Sequence, residues 1–312
     1  MPFLNRFDYQ LDFMGKRRPA IIVSALLLVL SVGSLLTQGL VFGIDFTGGT
    51  LIEVGYEQPV ELETIRTVLH ENGFANAMVQ HFGTARDVLI RLGVYEQLDN
   101  ETLSNQIFSL LQQQNQAVEM RRVEFVGPQV GDELVEKGGL AVLYTLIGVL
   151  IYITLRFEYR FALGAIAALV HDTVITVGIF SLLHIEFDLT VLAAILAVIG
   201  YSLNDTIVVF DRIRDNFIKL RKQPPVNVMN VSINQMLGRT MMTSLTTILV
   251  LIVLFFFGGE LIHGFATALL IGIIIGTYSS IYIASATTLA LGINKTDLMP
   301  IPKEGADIDK MP

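Results

Sequence analysis

Six long apolar runs dominate the chain, at roughly 19–42, 138–155, 161–183, 189–210, 240–257 and 262–290. Each is close to the ~20 residues whose helical length matches a ~30 Å hydrocarbon core, and a soluble fold would have to hide all six. A segment in that core must satisfy its backbone internally, which at this length means a helix. Composition agrees. Of 312 residues, 52% are hydrophobic and 16% charged, with a mean hydropathy of +0.59, whereas soluble domains carry closer to ~25% charged residues. The expected fold is an α-helical polytopic membrane protein with six transmembrane helices. Lys16, Arg17 and Arg18 precede the first run as they would in a signal peptide, but the run exceeds the ~7 to 15 apolar residues of a cleaved one. It is read as a retained anchor.

Basic residues fix the orientation, because short cytoplasmic segments collect Lys and Arg. They fall at Lys16 to Arg18, at Arg156 and Arg160, and at Arg212, Arg214, Lys219, Arg221 and Lys222, while the turns around Glu186, Asp188 and Glu260 contain none. Residues 1–18 and both termini are therefore expected in the cytoplasm, with a cytoplasmic loop near 211–239 and residues 43–137 outside. The charged stretch from Asp211 to Lys222 extends the fourth helix, and the tail at 291–312, with Pro300, Pro302 and Pro312, is expected to be disordered. The outer region holds 15 Asp and Glu against 6 Lys and Arg, a surface that repels phosphate and excludes a nucleic-acid partner there. With no cysteine in the chain, disulfides, thiolate metal sites and cysteine nucleophiles are excluded.

Within residues 43–137, Ile52, Val54 and Tyr56 alternate, as do Val88, Ile90 and Leu92, which predicts half-buried strands. Leu62, Ile65, Val68 and Leu69 recur at helical spacing and stop at Gly73; Leu103, Ile107, Leu110 and Leu111 follow Asp99 and Asn100 as a second amphipathic helix. Strands near 75–82 and 117–126 complete the order β-α-β-β-α-β of an α+β ferredoxin-like domain. The phase slips at Arg121 and Arg122, which suggests a bulge or a misplaced last strand. His70 and His81 are solitary and suit surface or packing roles; no cofactor or metal site is expected.

An ionisable group inside a spanning helix costs on the order of 3 kcal/mol, so each needs a partner or a watery cavity. Asp205 lies in the fourth run, within Gly200-Tyr201-Ser202-Leu203-Asn204-Asp205-Thr206, with Ser202 one turn away on the same face. Asp172 sits near the middle of the third run beside His171, with Thr176 at i+4. Arg239 opens the fifth run and is followed by Thr243, Thr246 and Thr247. At 1.5 Å per residue Arg239 falls ~7 Å below Asp205, within reach of a guanidinium side chain. The competing readings are structural: Arg239 snorkelling to headgroups, Asp205 in a buried hydrogen bond to Asn204, Tyr201 or a neighbouring helix, and His171 as a local partner. An acid alternating between an Arg partner and a neutral form would load and release protons. Gly272 and Gly276 form a small-residue pattern that suits close helix packing.

Phe42-Gly43-Ile44-Asp45-Phe46-Thr47-Gly48-Gly49-Thr50 after the first span, and Val126-Gly127-Pro128-Gln129-Val130-Gly131-Asp132 before the second, resemble the paired signatures of the SecD/SecF family. The stretch from Gly200 to Arg212 is similar to the fourth-span motif of the SecF branch, and Arg239-Thr240 with Thr243-Ser244 to the start of its fifth span. The resemblance runs from about residue 4 to residue 292. It implies membership of the resistance-nodulation-division superfamily, a location in the bacterial inner membrane with a periplasmic domain, and a non-enzymatic use of the proton-motive force in protein export. It also implies pairing with SecD, docking on the SecYEG translocon in the company of YajC and YidC, and action on a translocating preprotein. Asp205 and Arg239 match proton-path positions, supported by Asn204, Ser202, Thr206 and Thr243; Asp172 matches a motif position of less certain role. Two other functions stay open: a half-transporter for small hydrophobic molecules and a passive translocon scaffold.

Overall fold

A computed structural model describes residues 11–95, 99–114 and 117–293; the expected disordered tail lies, from residue 294 onward, outside the described residues, as do residues 1–10. In chain order the elements begin with α1 (Arg17–Thr37), β1 (Val41–Phe42) and α2 (Ile44–Thr47), followed by a head domain of β2 (Gly49–Tyr56), α3 (Leu62–Glu71), β3 (Met78–Phe82), β4 (Thr84–Leu92), α4 (Asn100–Gln113) and β5 (Val118–Val126). Then come α5 (Pro128–Arg156), α6 (Tyr159–Leu182), β6 (Glu186–Phe187), α7 (Leu189–Lys219), α8 (Pro225–Phe257) and α9 (Glu260–Ser279); a π-helical turn (Ser280–Ala284) and α10 (Ser285–Ala290) prolong α9.

Among the described residues six helices are long and apolar enough to cross a bilayer. They are not equivalent. In the most apolar windows of α6, α7 and the α9 span, 56%, 50% and 44% of residues are buried, against 17%, 11% and 17% for α1, α5 and α8. The first three form the centre, and the other three turn most of their apolar surface outward. α1 leans on α6 through Ser31, which packs against Gly178, and Ser34, which shares a 2.8 Å hydrogen bond with Ser181, while Ser24 reaches Tyr278 of α9. Small polar faces of this kind let helices approach where lipid removes the hydrophobic drive for association.

α5 and α8 begin well before the expected 138 and 240. Hydropathy marks where a helix enters lipid, whereas its first turn is set by chemistry: each starts with a Pro at its first position, where the missing N–H has no helical partner to lose. Arg239 consequently lies inside α8 rather than at its opening. The charged end of α7 continues the helix to Lys219, as the sequence suggests. Arg156 pairs with Asp211 at 2.7 Å, and Arg214 with Glu158 at 3.7 Å, at the bundle end opposite the head.

The head sheet has the order β3-β4-β2-β5, antiparallel throughout, which is the ferredoxin-like arrangement. Ile52, Val54, Val88 and Ile90 meet Ile65, Leu69, Leu103 and Ile107 from the two helices. The phase slip is a bulge: Glu53 pairs with Arg122 and Val54 with Met120, leaving Arg121 unpaired and free to reach Asp87 at 2.7 Å. The strands are more enclosed than alternation alone suggests. Leu51 and Leu89, on the other face, are buried against Ile44 of α2, because that face rests on the turn leading out of the membrane.

Ile52→Ala should cost the head ~2–5 kcal/mol by removing a fully enclosed side chain. Val123→Ala, at a position 38% exposed, should cost under ~1 kcal/mol. Protease cleavage within residues 50–126 against urea concentration reads both.

Candidate functional site

Three central helices bring polar groups together in the middle of the bundle. Asp172 of α6 is 1% exposed, and three groups converge on it. Ser202 Oγ of α7 donates to Oδ2 at 2.5 Å, Ser279 Oγ of α9 donates to the same oxygen at 2.6 Å, and His171 Nδ1 lies 2.8 Å from Oδ1. Thr176 turns its hydroxyl back to the Asp172 carbonyl at 2.7 Å. Ser202 therefore serves Asp172, although its sequence position suggested a role beside Asp205.

Asp205 of α7, 6% exposed, accepts from Ser280 Oγ at 2.6 Å. Ser279 and Ser280 are thus consecutive residues of one helix that address carboxylates on two others. Close approach makes this possible. A Cβ at Gly272 would stand 2.2 Å from a methyl of Val198, and one at Gly276 3.1 Å from the Ser202 Cβ, so two glycines let α9 lie against α7. The buried hydroxyl of Thr206 and the phenol of Tyr201 have no hydrogen-bond partner among the described residues, while the buried Thr240 hydroxyl faces Asp205 without the geometry of a full hydrogen bond.

The expected Asp205–Arg239 ion pair is absent among the described residues, and Arg239 is exposed. Thr240 and Ser244 form the inward stripe of that helix, with Ser244 bonded to Thr277 at 2.7 Å. One residue back is a turn of ~100°, which sets Arg239 beside that stripe, exposed and out of ion-pair range but near enough for its charge to act on Asp205. Thr243 follows it, exposed, its hydroxyl bonded among the described residues only to the Arg239 and Thr240 carbonyls of its own helix. Asn204 is likewise exposed, while Thr206 points in. The sequence names Thr240 and Ser244 only within the fifth-span resemblance, and Ser279 and Ser280 not at all. The signal for the serines was present as Gly276-Thr277-Tyr278-Ser279-Ser280, a polar interruption of the sixth apolar run.

The glycine signatures meet at the other end of α7. Asp188 caps that helix through the Val191 N–H at 2.7 Å, and Asp45 accepts from the Leu189 N–H at 3.0 Å. Two carboxylates at a helix N-terminus satisfy free donors and complement the helix dipole. β1 runs parallel to β6, and Gly43 N donates to the Phe187 carbonyl at 2.9 Å. The turn into the head demands glycine: Gly48 has φ +67° and Gly49 φ +126°, and a Cβ at Gly49 would sit 2.2 Å from the Leu92 carbonyl oxygen. Gly127 and Pro128 start α5, and Gly131 brings that helix so near that a Cβ would stand 3.0 Å from Gly48 N. Arg91 of β4 completes the collar, pairing with Glu186 and donating to the Phe42 carbonyl at 3.0 Å. Burial pushes the Glu186 carboxyl above its ordinary range, with Arg91 opposing and Asp188 and Asp45 adding to the rise.

Arg91→Ala should strand the Glu186 carboxylate and loosen the head from the bundle, by about 1–3 kcal/mol once partial exposure is allowed for. Adding Glu186→Gln should recover part of that loss. Thermal unfolding of the single and double variants measures the difference.

The family descriptions that match are "Protein export membrane protein SecD/SecF, C-terminal" over residues 106–294 and "SecD/SecF GG Motif" over residues 33–60. Similar relatives include the protein translocase subunit SecF of Vibrio alginolyticus, 56% identical with 97% of each chain covered, and that of Pseudomonas aeruginosa, 48% identical over 97% of this chain and 98% of the other. The crystal structure of SecDF from Thermus thermophilus, described as a translocon-associated membrane protein, superposes with a TM-score of 0.83 at 39% identity over 93% of this chain. This chain spans 39% of that longer one. A second SecDF structure, in a super-membrane-facing form, gives a TM-score of 0.68 at 40% identity over 91% of this chain and 39% of the other. With its glycine collar, six spans and relatives matched over nearly their full length, the chain belongs to the SecD/SecF family of protein-export membrane proteins, on the SecF side of that family.

Proposed function

We propose that this protein is a proton-coupled, non-enzymatic subunit of the protein-export apparatus of the bacterial inner membrane, pairing with SecD and assisting preprotein movement through SecYEG, with YajC and YidC as further companions. The observation that carries this is the pair of buried carboxylates, Asp172 and Asp205, held by hydroxyls and one imidazole with no Lys or Arg in ion-pair range among the described residues. A charge in such a place is costly, and a passive scaffold gains nothing from it that Ser or Asn would not supply more cheaply.

Separation of Asp205 from Arg239 fits the proton-loaded member of a two-state cycle. In that state Asp205 is neutral and bonded to Ser280; in the other, Arg239 turns inward, the proton leaves and the ion pair closes. The outward face that carries Asn204, Arg239 and Thr243 suits the surface that SecD would cover. The head stands outside because Lys16 to Arg18, Arg156, Arg160 and Arg212 to Lys222 all lie toward the opposite end. The collar then links α7, which bears Asp205, to the head.

Export into inverted vesicles holding SecD and the translocon, at fixed ATP and with or without an imposed pH gradient, tests this. Asp205→Asn should keep the ATP-dependent part and lose nearly all of the gradient-dependent part. A scaffold would leave both unchanged.

A further inference from the structure

A single proton crossing a membrane potential releases less free energy than moving a two-state equilibrium from 1:99 to 99:1 takes. Two protons come far nearer to that than one. Resting on the proton-coupled reading above, we propose that His171 and Asp172 hold a second proton at His171 Nε2, and that Ser279 and Ser280 tie its binding to the charge on Asp205.

The His171 ring is 3% exposed, and its Nε2 atom is buried without a hydrogen-bond partner among the described residues. With Nδ1–H donating to the Asp172 carboxylate, Nε2 of the neutral ring carries a free lone pair. A proton arriving from water adds there without displacing any bond of the cluster, and leaves an imidazolium beside a carboxylate. The surroundings contain no competing cation among the described ion pairs. α9 presents Tyr278, whose ring lies 6.3 Å from the imidazole, and Ser279; α7 presents Ser202; α6 itself supplies Asp172 and Thr176; and α1 reaches the cluster through Ser24, 3.1 Å from the Tyr278 hydroxyl.

Each serine of the linking pair has one hydrogen and two acceptors. Ser279 Oγ lies 2.6 Å from Asp172 Oδ2 and 3.1 Å from the Gly276 carbonyl; Ser280 Oγ lies 2.6 Å from Asp205 Oδ2 and 3.0 Å from the Thr277 carbonyl. Charge on a carboxylate draws the hydrogen to it, and loss of charge returns the hydrogen to the helix. The two residues are adjacent at the point where α9 passes into its π-helical turn, whose Ser280 carbonyl accepts from Ser285 Oγ at 3.2 Å. Such turns recur at functional sites and interrupt the regular ladder, so a shift of one hydroxyl is carried to its neighbour.

The test is magnetic resonance of the full chain with SecD in lipid vesicles, using isotope-labelled histidine and assigning the ring nitrogens through His171→Gln. Across a pH titration Nε2 should gain a proton, and Asp205→Asn should displace the midpoint by roughly fivefold or more in proton affinity. Ser279→Ala with Ser280→Ala should abolish that displacement. If this double variant fails to insert, Ser280→Ala alone, which leaves the Asp172 bonds intact, should abolish it. A ring whose protonation never changes, or a midpoint indifferent to Asp205→Asn, overturns the proposal; a displacement that survives the serine substitutions overturns the link. An invariant His171 beside an Asp205→Asn variant that has lost gradient response sinks this inference alone. A titrating His171 beside an Asp205→Asn variant that still responds to the gradient sinks the proposed function.

Discussion

The polar centre of this protein exists because α9 lies against α7 at glycine distance. Gly272 and Gly276 remove the side chains that would hold the helices apart, and the serines one turn further along then reach two carboxylates on two different helices. A hydroxyl bonded to a carboxyl group in a water-poor interior is stronger than the same contact at a surface, and more costly to lose. The packing of the bundle and the state of its acids are therefore one problem. Any movement that opens the α7–α9 contact takes Ser280 from Asp205 and parts Ser202 from Ser279, the two serines that meet on Asp172 of α6.

The same helix is held at its other end by the collar. α7 runs from the capping carboxylates Asp45 and Asp188 to the Arg156–Asp211 pair, with Asp205 between them. Asp45 belongs to the turn that becomes β2, and Arg91 belongs to β4, so two strands of the head are fastened to the start of α7. An axial or rotational step of that helix has a short path to the head, through hydrogen bonds and an ion pair rather than through a flexible linker. Space at this junction requires glycine: a side chain at Gly49 or Gly131 would meet backbone.

Much of this was legible in the sequence. Six spans, the ferredoxin-like order and the bulge at Arg121 follow from period and phase, which are properties of single segments. The acids were legible too, since a charge among apolar residues is conspicuous. Their partners were less so. Depth arithmetic placed Arg239 within reach of Asp205, but depth leaves rotation about the helix axis undetermined, and the inward stripe of α8 belongs to Thr240 and Ser244. Ser202 was assigned to the nearer acid along its own helix, whereas its bond goes across to Asp172. Sequence spacing fixes which residues share a face; which helix meets that face is set by packing, and here by two glycines.

The central claim is that a carboxyl group kept out of water changes its protonation as the bundle changes shape. Infrared difference spectroscopy of the reconstituted chain stepped through pH, with the carboxylic-acid band assigned by Asp205→Asn, measures this directly. A band that belongs to Asp205 and grows reversibly as pH falls is the expected result. Its absence at every pH, or its persistence at every pH, would contradict the claim and leave Asp205 a fixed structural group.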